Sequence, residues 1–200
     1  MNLSRRFEEA LAYAARIHAT QRRKATEVPY VAHLLAVASI ALENGAGEEE
    51  AIAALLHDAV EDQGGLPRLE EIRARFGDRV AKIVEECSDA VTAPKPPWRA
   101  RKEAYMEHLR HASPSGCLVS ASDKLHNARS ILADFRRLGD TVWSRFSGGK
   151  EGTLWYYRSL VGALRDRAPA PLVDELNRVV TELERLAGAG EDRDPKPFDS

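Results

Sequence analysis

The chain has 200 residues, 44% hydrophobic and 30% charged, which is enough apolar material for one sizeable core and excludes a wholly disordered protein. Its 31 acidic and 29 basic residues leave a net charge of −2, which excludes the bulk basicity of a nonspecific nucleic-acid binder. No apolar run approaches the ~20 residues of a membrane helix, and the polar start MNLSRRFEEA lacks a signal peptide's apolar stretch, so a cytoplasmic protein without membrane contact is expected.

Alanine, leucine, glutamate and arginine dominate, and alternating β-branched runs are scarce, so the expected fold is all-α. A single helical bundle should span residues 1–188, with 189–200 a disordered, charged tail. Ser4 suits the cap of a first helix whose apolar face is Phe7, Leu11, Ala14 and Ala15, ending near His18. After the polar stretch Thr20 to Val28, Pro29 allows a second helix from about Tyr30, with His33 among Leu34, Leu35 and Val37. Asn44-Gly45-Ala46-Gly47 stops it. Glu48, Glu49 and Glu50 suit the positive start of a third helix, which carries Ile52, Leu55 and Leu56 and closes at Gly64-Gly65. Two short helices follow, joined at Gly77, with Leu69, Ile72 and Phe76 before it and Val80, Ile83 and Val84 after. The prolines of Thr92 to Pro97 require a loop, and Trp98 to His111 restarts the helix. Ser113-Pro114 begins another, containing Leu118, Leu125, Ile131 and Leu132. Gly148-Gly149 breaks the chain before Leu154 to Leu160, and Leu172 to Leu186 forms the last helix. Cys87 and Cys117 lack zinc spacing and are too few for a disulfide framework, so both should be reduced and structural.

The chemistry concentrates in His57-Asp58-Ala59-Val60-Glu61-Asp62, which ends an otherwise apolar helix. At ~100° per residue, Glu61 falls one turn beyond His57 and Asp62 one turn beyond Asp58. Any one of these residues alone reads best as a polar helix end. Yet Ala51 to Leu56 has a buried pattern running straight into them, and a buried charge is costly unless it is paired or bound to a metal. His33 on the apolar face of the second helix and Asp123 between Val119 and Leu125 repeat that situation.

Taken together, His33, His57-Asp58 and Asp123 resemble the H…HD…D pattern of the HD metal-dependent phosphohydrolases. More of the chain, from about Arg16 to Asn127, resembles the hydrolase domain of the RelA/SpoT homologues, particularly small alarmone hydrolases of the metazoan SpoT homologue type. Its marks are Gln21-Arg22-Arg23-Lys24, Pro29-Tyr30, Ala53 to Asp62 including Glu61-Asp62, and Ser122-Asp123-Lys124-Leu125-His126-Asn127-Ala128-Arg129. The chain departs from the usual family text at Val28, where a glycine precedes Pro-Tyr, and at Leu34, where a proline follows the histidine.

The resemblance implies metal ligation by His33, His57, Asp58 and Asp123, with manganese as the expected ion, and mixed imidazole and carboxylate ligation suits it. It also implies that Glu61 and Asp62 form the catalytic acidic pair, Glu61 handling the proton and Asp62 supporting it. The implied substrate is guanosine 3′,5′-bis(diphosphate) or its pentaphosphate analogue, cleaved at the 3′-diphosphate to release pyrophosphate. Arg23 and Lys24 match nucleotide-contacting positions, and Asn127, one turn beyond Asp123, is placed to contact ribose or phosphate. In the C-terminal third, Lys150 and Tyr156 are further candidates for phosphate and for base or ribose, although core packing is the commoner fate of such aromatics. The chain ends soon after Leu186, so a stand-alone hydrolase is expected, and a homo-oligomer stays open. The competing readings are an HD phosphohydrolase acting on an adenosine alarmone, a nucleotide-sensing module without catalysis, and a purely structural helical protein.

Overall fold

The structure, a computed structural model, describes residues 2–88 and 96–188. The expected tail, and the Thr92 to Pro97 loop apart from its last two residues, lie outside the described residues.

Helix α1 (Arg5–Ile17) opens on Ser4, whose hydroxyl accepts the Arg6 backbone N–H, as a capping serine should. It buries Ala10, Tyr13 and Ala14, with Phe7 and Leu11 at the margin of that face. Ala15 is exposed, because one helical step turns it off the face that Ala14 occupies. The polar stretch beyond His18 is a tight turn rather than an open loop. Arg22 and Pro29 form an isolated antiparallel bridge, the Arg23 amide donates to the Val28 carbonyl at 2.8 Å, and Ala25 turns the chain at φ 57°.

Helices α2 (Val31–Glu43) and α3 (Glu48–Leu56) follow, and every residue of α3 from Ala51 to Leu56 is buried. Leu35, at 46% exposure, faces solvent and does not share the buried face of His33 and Leu34. The continuous helix expected through Asp62 breaks. α3 stops at Leu56, and a single turn, α4 (Ala59–Asp62), begins after Asp58 at φ −93° and ψ −3°. These values lie in the sparsely allowed region where active-site residues are often held. At the same point the His57 ring Nδ1 donates to the Ala54 carbonyl at 2.8 Å.

Helices α5 (Gly65–Phe76) and α6 (Asp78–Cys87) meet at Gly77 as expected. After α7 (Trp98–Leu109), the Ser113 hydroxyl caps α8 (Pro114–Leu138) by accepting the Gly116 amide at 3.0 Å. A 3-10 segment, Gly139–Arg145, leads to α9 (Gly149–Leu164), and α10 (Ala170–Gly188) closes the described chain. α3 packs against α1, α2, α6 and α8, while α10 lies along α8 and α9. Helix α3, buried from Ala51 to Leu56, is therefore the axle of the bundle, and α8 packs against both it and α2. Cys87 and Cys117 are free, with Cys117 buried. No helix among the described residues is long and apolar enough to cross a membrane.

Candidate metal centre

Three pieces of chain meet where α2, the α3–α4 break and α8 touch. His33, His57 and Asp58 each offer one ligand atom, and these atoms lie within 4.8 Å of one another. Asp123 on α8 adds a fourth: its Oδ1 is 3.2 Å from His33 Nε2 and 3.6 Å from His57 Nε2. Asp58 Oδ2 is 3.4 Å and 3.0 Å from the same two nitrogens. Both histidines are almost completely buried, and both Nε2 atoms lack a hydrogen-bond partner despite these short contacts. Orphaned buried nitrogens facing two carboxylates are what a cation site requires, and the donor set suits a divalent ion.

The surroundings prepare both rings for that role. His57 spends its Nδ1–H on the Ala54 carbonyl, which leaves the Nε2 lone pair facing the carboxylates. His33 Nδ1 lies 2.7 Å from His126 Nδ1, and burial, with His33 alongside, pushes the His126 pKa down to about 4, making it a neutral partner. Burial alone would depress the His57 pKa, but the Asp58 charge outweighs it and holds the imidazole well above its usual value. Burial would raise Asp58, yet His57 and His33 hold it well below the carboxylate range. Asp123 is held down likewise, by Lys124 at 2.6 Å and by both histidines. A cation and a proton thus compete for the same lone pairs.

A cavity of about 660 Å³ opens beside this cluster and reaches it at His33. The volume falls within the usual range for small-molecule sites, roughly 300–1,000 Å³. Arg23, Lys24, Arg101, Lys102, Lys124 and Arg145 contribute to its lining, a strongly cationic set.

Residues 10–154 match the family model described as HD domain. The chain belongs to the HD-domain family. HD-domain hydrolases use divalent metals, and the His-His-Asp cluster needed for one is present here. The relatives include proteins named guanosine-3′,5′-bis(diphosphate) 3′-pyrophosphohydrolase MESH1. That of Xenopus tropicalis is 43% identical over 139 residues, covering 68% of this chain and 73% of the relative. The human one is 41% identical over 140 residues, with the same two shares. A solved metazoan orthologue of SpoT, described as hydrolysing ppGpp, superposes with a TM-score of 0.77 at 29% identity, covering 91% of this chain and 97% of that one. A Listeria monocytogenes protein superposes with a TM-score of 0.68 at 32% identity, covering 76% of this chain and 99% of that one.

Within this HD domain the expected site residues fall into three groups. His33, His57, Asp58 and Asp123 come together as the cluster. Arg23, Lys24, Asn127 and Tyr156 line the cavity: Arg23 donates to Asn127 Oδ1 at 2.6 Å, and Asn127 in turn donates to Asp123 Oδ1. Glu61 and Asp62 sit on α4 outside the cavity lining, Glu61 half-buried and Asp62 exposed. Lys150 is elsewhere. Its ammonium donates to the Ala187 carbonyl at 3.0 Å, tying the second residue of α9 to the end of α10.

Sequence reasoning missed several contributors. Tyr30 donates its hydroxyl to Asp58 Oδ2 at 2.6 Å, and burial with that carboxylate holds the phenol protonated. Trp98 lines the cavity by packing on Gly148, where any Cβ would stand 2.6 Å from the indole Cη2. Lys102, one turn beyond Trp98, places its ammonium 4.9 Å from the centre of the Tyr156 ring. The helical spacing of Trp98 and Lys102 was a visible signal, whereas their pairing with α9 was not.

Proposed function

We propose that this chain is a metal-dependent guanosine 3′,5′-bis(diphosphate) 3′-pyrophosphohydrolase. The observation that carries the reading is the pair of buried, partnerless Nε2 atoms of His33 and His57, set against Asp58 and Asp123 at the end of a cationic cavity. His33, His57, Asp58 and Asp123 hold the ion in this reading, and manganese suits their mixed donors. When bound, such an ion lowers the pKa of water and offsets phosphoryl charge.

The chain's own residues do the rest. Arg23, Lys24 and Lys102 neutralise the polyphosphate in the cavity, and Asn127 joins the nucleotide side to the Asp123 side. Water attacks the first phosphorus of the 3′-diphosphate, the bond to the ribose 3′-oxygen breaks, pyrophosphate leaves, and the 3′-oxygen takes up the proton that the water gives up and ends as a hydroxyl. Glu61 takes the proton from that water, and Asp62, held by the Gln21 amide at 2.8 Å, supports it. Tyr30 fixes Asp58 Oδ2, the oxygen that faces both histidines. The work suits a cytoplasmic nucleotide pool, with which two free cysteines agree.

The test is a product assay with guanosine and adenosine 3′-diphosphates on chelated and manganese-reloaded protein. Pyrophosphate released from the guanosine substrate only after reloading supports the reading. Faster release from the adenosine analogue would transfer it to that nucleotide, and none from either would overturn hydrolysis. The melting temperature offers a second readout, since an ion that binds only the folded state raises it.

A further inference from the structure

His18 is a buried histidine that the hydrolysis scheme leaves without a task. It is 2% exposed, and its ring stacks on Tyr30 at 5.2 Å and 19°. Its Nδ1 is 2.6 Å from Gln21 Oε1, while its Nε2 is buried and has no hydrogen-bond partner.

The surrounding bonds fix its proton. An ionised carboxylate only accepts, so Gln21 turns its amide nitrogen to Asp62 Oδ2 at 2.8 Å. That orientation faces Oε1 toward His18 and toward the Gln63 amide, which donates to it at 2.6 Å. A carbonyl oxygen cannot donate, so the proton of the neutral imidazole sits on Nδ1 and Nε2 keeps a lone pair. Burial favours that neutral form. The nearby donors do not reach Nε2: the Tyr30 hydroxyl is spent on Asp58, and the Gln63 amide nitrogen donates to Gln21 and otherwise lies 3.5 Å from His18 Nδ1. A buried lone pair of this kind is normally matched by a donor, and water is the one that remains.

We propose that His18 is a positioning residue of this site: through Gln21 its Nδ1–H sets the direction of the Asp62 carboxylate, and its Nε2 receives an ordered water. The inference rests on the proposed role of Asp62 in hydrolysis. The relay fixes the direction of the Asp62 carboxylate with residues outside the nucleotide cavity, whose lining contains neither His18 nor Gln21. Its loss should therefore appear in kcat and not in KM.

His18→Phe keeps a flat ring on Tyr30 and removes both nitrogens. In the full, metal-loaded chain, kcat should fall roughly 10–100-fold, the scale on which partners that orient site groups act, with KM and metal content unchanged. His18→Asn, whose amide can stand where Nδ1 stood, should recover part of the loss. In an Asp62→Asn background the His18→Phe change should cost nothing further, because the group it orients has gone. Nitrogen NMR of the unsubstituted protein should show His18 protonated at Nδ1, and Gln21→Leu should abolish that signature. Unchanged turnover in His18→Phe, losses that multiply in the double variant, or a proton on Nε2 would overturn the inference while leaving hydrolysis standing. Full turnover in Asp62→Asn alone would instead overturn the role of Asp62, and this inference with it.

Discussion

The histidine–carboxylate cluster and the cavity beside it are built on opposite terms. In the cluster both histidines and Asp123 are buried, Asp58 is half-buried, and each has a partner outside the four: His57 the Ala54 carbonyl, His33 His126, Asp58 Tyr30, Asp123 Lys124 and Asn127. In the cavity, Lys24 is exposed and Arg23 and Lys102 are half-buried, so their charges reach into solvent-accessible space. The difference teaches where precision is needed. A cation and an attacking water demand fixed lone pairs, whereas several phosphates can be gathered by side chains that adjust.

The strongest way to break that contrast is to remove a cluster carboxylate. Asp58→Ala should abolish metal binding and reduce turnover by more than the ~10–100-fold that outer partners of a metal site cost, with helicity kept. Metal analysis and the pyrophosphate assay check it, and full metal occupancy would remove Asp58 from the ligand set. Next in size is Glu61→Gln, expected to lose ~10²–10⁴ in kcat while retaining metal and substrate. Single-turnover kinetics decide this one, because unchanged chemistry would exclude Glu61 as the proton acceptor.

On the cavity side the effects should be smaller and should fall on KM. Bonds made by such solvent-accessible groups are worth ~0.5–1.5 kcal/mol each, so the Arg23→Ala, Lys24→Ala double variant should raise KM by roughly five- to a hundredfold. An unchanged KM would return both to ordinary surface. Gly148→Ala forces the Trp98 ring to move, and overpacking of this kind costs ~1–3 kcal/mol. A lower melting temperature with a modest rise in KM is expected, whereas an unaltered protein would show that Trp98 yields freely. Lys150→Met should be the mildest, leaving KM untouched and loosening only the α9–α10 junction, as thermal unfolding would show.

The same contrast explains what could be read in advance. The buried pattern of Ala51 to Leu56 forces a choice at His57-Asp58, which only pairing or metal satisfies, so that pair was legible in residues alone, whereas His33 and Asp123 joined it through the resemblance to the HD pattern. Capping at Ser4 and Ser113 was legible for the same local reason. The α3–α4 break was not, because periodicity records only which residues are apolar and says nothing of the dihedrals at Asp58. Lys150 looked like a phosphate contact because charge beside aromatics is ambiguous until α9 meets α10. His18 escaped for a related reason: its partners Gln21 and Gln63 are neutral and lie on different elements.

The break at Asp58 and the long reach of α8 also set an order of events during synthesis. A ribosome that has finished α6 has already made His33, His57 and Asp58, whereas Asp123 comes only with the middle of α8. Until then the carboxylate that completes the set is missing, and the apolar flank of α3 that α8 covers is bare. In the proposed reading, ion capture at full strength would therefore be a late event that reports the docking of distant segments. A growing chain in a metal-poor cell would pass that point without its final lock, and the holdase chaperones that recognise bare apolar helix would have the longer claim on it.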